Sequence, residues 1–248
     1  MSQLTNILTK LRDISDTNLV DIFVASQERI IKFRQLSIKQ QKDLFKTGLD
    51  GVAAGITLSE EITNIINTNS MENVEFSIYD KIPIILKLRA NALGTNCVVL
   101  NDNNQQTLDF TQLLARDIKI PLPEECTKHI VFESEIELDI SYPSLAKDSK
   151  INRSHIDKAK KQEGISEAIG NLYIYEIAKY IDTITIGPET IDCNLLAVKE
   201  LVSIIENLPA KLNEEVISFM GKLRKSEEEF LTISNNVIII DSRFFTKE

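Results

Sequence analysis

Apolar positions along the chain alternate between a two-residue and a three-to-four-residue period, and each change of period marks a predicted element. Leu4, Ile7, Leu8 and Leu11 recur at helical spacing and predict a short amphipathic helix, packed on the body or against a partner. Val20, Ile22 and Val24 then alternate, Ser26-Gln27-Glu28 turns, and Arg29 to Arg34 alternates again through Ile31 and Phe33, which predicts a β-hairpin with Lys32 and Arg34 on its wet face. Ser37 and Gln40 stand at capping-box spacing, each side chain within reach of the other's amide, so a helix starts there. Its apolar side reads as Ile38, Gln41, Leu44 and Phe45, with Phe33, Ile38 and Leu44 expected in the core and Lys39 and Lys42 in water. Gly48, Gly51 and Gly55 end it; Thr57 and Glu60 offer a second capping box before Leu58, Ile62, Ile65 and Ile66; residues 67–73 are polar and turn the chain. Asp80 is expected to cap a third helix, with Pro83 in its first turn, Ile82, Ile85, Leu86, Ala92 and Leu93 filling it and Gly94 stopping it. Arg89 lies three residues from Leu86 and has two readings: a buried stem with its guanidinium tied to a carboxylate, or a partner-binding side chain.

From Cys97 to Tyr142 the period changes. Cys97 to Leu100, the turn at residues 101–104, and Leu108 with Phe110 predict a hairpin; Ile118 and Ile120 precede Pro121 and Pro123; Ile136, Leu138, Ile140 and Tyr142 alternate against Glu137, Asp139 and Ser141. This is a mostly antiparallel β section with one wet face. Residues 144–164 are polar and lysine-rich. The remainder reads as mainly helical: a row at Ile165, Ile169, Tyr173, Ile177 and Ile181, a short Thr183 to Ile186 segment with a turn at Gly187-Pro188, then helices on either side of Pro209. Leu195, Val198, Leu201 or Val202, Ile205 and Leu208 mark one of these helices, and Leu212, Val216, Phe219, Leu223 and Phe230 the other; Val237 to Ile240 predicts a last strand. The expected fold class is α+β. A hairpin-plus-helices module with its β section covers 1–145, a polar linker or exposed loop 146–164, and a mainly helical region 165–248.

Composition adds limits. With 248 residues, 43% hydrophobic and 26% charged, the chain is long enough for a proper core and ordinary for a folded soluble protein. A net charge of -9 argues against non-specific nucleic-acid binding, which relies on clustered Lys and Arg. The first 24 residues lack the layout of a signal peptide and no apolar run is long enough to span a bilayer, so no membrane insertion is expected and the cytosol is the expected location. Cys97, Cys126 and Cys193 are an odd number at spacings that match neither a zinc knuckle nor a disulfide framework, and read as free thiols.

No catalytic constellation emerges. His129 and His155 stand in no metal-binding pattern; Cys126 and His129 are three apart without evident further ligands, and His155 reads as a solvated linker residue. The glycine cluster at 48–55 lacks the Lys-Ser/Thr end of a phosphate loop, no Ser sits in GxSxG, and the charged run Lys225 to Glu229 reads as a solvated helix face. No catalytic residue, cofactor or metal ligand is assigned, and the chain is expected to be no enzyme.

Five features recur in a fixed order: Lys32-Phe33-Arg34, the capped helix from Ser37 to Leu44, Asp80 to Pro83, Leu88-Arg89-Ala90 running to Gly94, and Tyr142-Pro143 closing the β section. Over roughly residues 20 to 145 their order and spacing resemble the T4-type bacteriophage baseplate hub protein family, which includes a hub subunit and a related hub assembly catalyst. Some members of that family carry a cysteine pair in the β section; this chain has Cys97 and only later Cys126, so no metal role is carried over. The resemblance implies a protein made in the host cytoplasm and used in building the tail baseplate hub, as a component of the virion tail or a transient, chaperone-like helper. It implies contacts with hub proteins, with the tape-measure protein as a further candidate. The wet side of the Arg29 to Leu49 stretch, Lys32, Arg34, Lys39 and Lys42, with Arg89 in its second reading, is the candidate partner-binding set. An unrelated cytosolic adaptor or regulatory module is the alternative.

Overall fold

The computed structural model describes residues 5–7, 9–10, 18–47, 54–101, 104–115, 117, 119–159 and 165–246. The predicted hairpin is present: β1 (Leu19–Val24) pairs antiparallel with β2 (Arg29–Arg34), Val24 opposite Arg29 across a tight turn. Glu28 closes that turn in a left-handed conformation, φ 51°. Alternation buries Ile22, Val24, Ile31 and Phe33 on one face. Helix α1 (Ile38–Thr47) begins at the predicted box, the Gln40 amide donating to Ser37 Oγ at 3.2 Å and the Ser37 amide to Gln40 Oε1 at 2.9 Å.

The expected apolar side of α1 does not hold. Leu44 is buried, but Ile38 is 84% and Phe45 40% exposed. Ile38 and Leu44 are six residues apart, which at 3.6 residues per turn sets them about 120° apart around the helix, too far to share one narrow buried stripe. Helix α2 (Ala54–Asn69) starts ahead of the predicted Thr57 cap and buries Leu58, Ile62, Ile65 and Ile66 as expected. Helix α3 (Lys81–Leu93) ends at Gly94, φ 88°. Asp80 does not cap it: its carboxylate accepts from the Ser77 amide at 2.8 Å and the Ser26 amide at 3.1 Å, pinning a 3-10 turn (Ile78–Asp80) to the first hairpin.

Strands β3 (Asn96–Asn101) and β4 (Asn104–Asp109) form the second predicted hairpin. The separate four-stranded antiparallel sheet runs in the order β5 (Thr127–Phe132), β6 (Ile136–Ser141), β7 (Ile181–Ile186), β8 (Glu189–Asp192). Its outer strands β5 and β8 were not predicted, and β7 and β8 come from the region expected to be mainly helical. The expected linker is another correction. Residues 145–159 form helix α4 (Leu145–Ala159), whose stripe Leu145, Asp148, Ser149, Asn152, His155 and Ile156 is buried; 160–164 lie outside the described residues. The spacing is helical, but most of the stripe is polar, so hydropathy concealed it.

Helices α5 (Ile165–Tyr180), α6 (Val198–Glu206) and α7 (Ala210–Leu231) follow. In α5 the buried residues include Tyr175, Ile177 and Ala178, whereas Tyr173 is exposed, as is Leu195 before α6. The last predicted strand shrinks to a two-residue pairing of β9 (Thr232–Ile233) with β10 (Asn236–Val237). The mixed α+β class holds, around two hydrophobic cores. One joins the β1–β2 and β3–β4 hairpins, α1, α2 and α3 to Leu231, Ile233, Ile238, Phe244 and Phe245 from the end of the chain. The other joins β5, β6 and β7 to α4, α5, α6 and α7.

Candidate partner-binding surfaces

The corner between β2 and α1 is rigid. Asn69 at the end of α2 donates from Nδ2 to the carbonyls of Arg34 and Gln35, both at 3.3 Å, and accepts from Gln40 Nε2 at 2.7 Å. Lys32, Lys39 and Lys42 are exposed around this corner; Arg34 is half-buried, with Nη1 donating to the Thr68 carbonyl at 3.4 Å. The exposed Ile38, Phe45 and Lys46 were not among the predicted contact residues.

Arg89 is not brought to that corner. It is 2% exposed and lies between the Phe110 and Phe244 rings, its guanidinium carbon 5.3 and 5.0 Å from their centroids. Nε donates to the Phe244 carbonyl at 2.9 Å, Nη2 to the Asn96 carbonyl at 2.5 Å, and Nη1 to the Gly94 carbonyl. Burial is confirmed as geometry, but the expected carboxylate is replaced by three backbone carbonyls. Burial pulls the Arg89 pKa down.

A second buried cluster bridges the two cores. Asp148 on α4 holds Lys81 of α3 at 2.7 Å and Lys179 of α5 at 3.0 Å, Lys179 also pairs with Glu176, and Lys81 donates to Ser59 at 2.9 Å. Burial works to raise the Asp148 pKa, but the two ammonium groups outweigh it and hold the carboxyl below its ordinary range. Burial likewise opposes charge on Lys179, yet Asp148 and Glu176 carry its pKa upward. Every charge here meets an opposite one, which suits a clamp better than proton transfer.

Burial pushes the Cys193 thiol to about 11, away from the nucleophilic thiolate, and raises Cys97 as well. His155, expected to be solvated, is buried and stacked on Tyr175 with centroids 4.6 Å apart. His129 sits on the exposed sheet face, Nδ1 2.8 Å from Asp139. Among the described residues no group of three or more His, Cys, Asp or Glu could hold a metal ion, and no helix is long and apolar enough to cross a membrane. Of the run 225–229 read as a solvated face, Lys225, Glu228 and Glu229 are exposed as read, but Glu227 is half-buried on α7, and desolvation pushes it to about 7. A single sequence gives no sign of that. A depression of about 1390 Å³ runs beside the Pro209 corner over Tyr175, Ile186, Val202 and Leu208.

Compared with known proteins, the chain matches over residues 18–235 a protein-family model described as T4 bacteriophage base plate protein. No curated protein and no solved structure matches.

Proposed function

Because the chain belongs to the T4 bacteriophage base plate protein family, we propose that it acts in assembling the tail baseplate hub through contacts with other tail proteins, as a hub component or a transient assembly factor. The match across residues 18–235 carries this reading, since it spans both cores and not one motif. The unrelated adaptor finds no support beside it. This role calls for surfaces and not for a reaction: Asp148 is paired with Lys81 and Lys179, and burial raises the pKa of the Cys97 and Cys193 thiols. Lys32, Arg34, Lys39 and Lys42 are the contact residues we assign, on the corner held by Asn69. Arg89 belongs to the fold beneath. Hub proteins are the expected partners and the tape-measure protein a further candidate. Work begins in the host cytoplasm, and a component would travel on in the virion tail.

Mass spectrometry of purified virions beside infected-cell lysate separates the two roles: a component appears in both, a helper in the lysate alone. Co-expression with hub and tape-measure proteins is expected to yield a complex. No complex, together with normal tails after deletion of the gene, would overturn the reading.

A further inference from the structure

Helix α1 touches the first core through Leu44 and carries an exposed stripe about a third of a turn away from it. Ile38, Lys42 and Phe45 follow one another at four and three residues, so they share a face. Ile38 and Phe45 are exposed apolar side chains, and Lys39 and Lys46 are exposed on its flank. A single exposed Ile or Phe is ordinary. Two on one face, with Lys39, Lys42 and Lys46 beside them against Asp43 of the same helix and Glu61 of α2, form an apolar site with a small basic excess in a chain of net charge -9. The Ser37–Gln40 box and the Asn69 hydrogen bonds hold the helix in place, so the stripe is presented without an ordering cost on binding.

We propose that this face of α1 docks an acidic segment of another tail protein, one that sets Asp or Glu side chains around one or two apolar anchors; the proposal rests on the role in hub assembly given above. Ile38 and Phe45 would take the anchors, and Lys39, Lys42 and Lys46 would steer and register the carboxylates. Nucleic acid fits less well, because phosphates gain nothing from Ile38 and Phe45 and the net charge repels them. A lipid surface calls for a broad apolar face, and α1 turns its Leu44 side inward. A second copy docked through the same face would set lysine against lysine.

The test is a benzophenone side chain placed at position 38 of the full-length chain during infection, with a control at position 195, where Leu195 is 83% exposed. The crosslinked partner peptide is identified by mass spectrometry. Position 38 is expected to capture a tail-protein peptide rich in Asp and Glu, and position 195 is not. Adding Lys39→Glu with Lys42→Glu should cut the yield at least about fivefold, whereas Lys39→Arg with Lys42→Arg should retain most of it, with thermal melts confirming that both folds persist. Crosslinks confined to lipid, nucleic acid, a second copy or a basic peptide, or a yield no higher than at position 195, would overturn the proposal. If that happens while the chain still enters its complex with hub proteins, the docking face is wrong and the assembly role stands; if the complex is absent too, the role itself fails.

Discussion

Arg89 in the first core and Lys179 in the second are both buried cations, and the chain neutralises them by different means. Among the described residues Arg89 meets neutral groups, the carbonyls of Gly94, Asn96 and Phe244 and the faces of Phe110 and Phe244. Lys179 meets the carboxylates of Asp148 and Glu176, and Asp148 reaches on to Lys81. Carbonyls and rings do not titrate, so the first arrangement is indifferent to pH. The second depends on its carboxylates staying ionised. Asp148 has a depressed pKa in the folded state, so its contribution is complete at neutral pH and is lost as the pH falls through that depressed value. Lys179, raised, loses its contribution only as the pH climbs past the ordinary lysine range. The first arrangement ties the end of the chain to its N-terminal module, and the second ties the two cores together.

Variants can break this contrast. Arg89→Ala removes three hydrogen bonds and opens a gap between two aromatic rings; it should cost about 3–5 kcal/mol in urea unfolding, by the same amount at pH 5 and pH 8. A loss that changed with pH would mean that a carboxylate answers Arg89 after all. Asp148→Asn leaves Lys81 and Lys179 short of a counter-charge and should cost about 3 kcal/mol at pH 7, with the gap to the unaltered protein narrowing in acid as Asp148 itself is protonated. Glu227 has the opposite sign. Its folded pKa rises from 4.5 to about 7, so the folded state binds more protons than the unfolded one in that interval and stability falls as the pH rises through it. Glu227→Gln should therefore stabilise by about 1–3 kcal/mol at pH 8 and by little at pH 4.5, read from melting curves at the two values. Ser37→Ala, which removes one half of the capping box, should cost about 1 kcal/mol at either pH. That last variant gives a pH-independent baseline for the other three.

The parts that could be read beforehand share a short range. The first hairpin follows from alternation within six-residue strands, and α1 begins at Ser37 because its box closes within four residues. Lys39 and Lys42 are exposed as read, but Ile38 was assigned to the core because its apolar character was weighed ahead of its angle from Leu44. Asp80 looked like a cap for the next helix; its oxygens instead meet the Ser26 amide, 54 residues back, and the Ser77 amide. Helix α4 escaped because Asp148, Ser149, Asn152 and His155 occupy the positions at which a buried helix normally carries Leu or Ile. Strand β5 escaped for a related reason, since its inward row begins at Lys128, whose ammonium reaches Glu215 of α7 at 2.7 Å.

By itself the sequence determined the signals that act within a turn or a strand: the two hairpins, the capped start of α1 and the Gly94 stop. Those signals depend on neighbours a few residues away, whose positions are set once the backbone takes one regular conformation. Only the tertiary structure decided which polar residues are buried. A buried charge is tolerated only where partners converge on it, and here they come from far along the chain: Asp148 lies 67 residues from Lys81, and the Phe244 carbonyl 155 residues from Arg89.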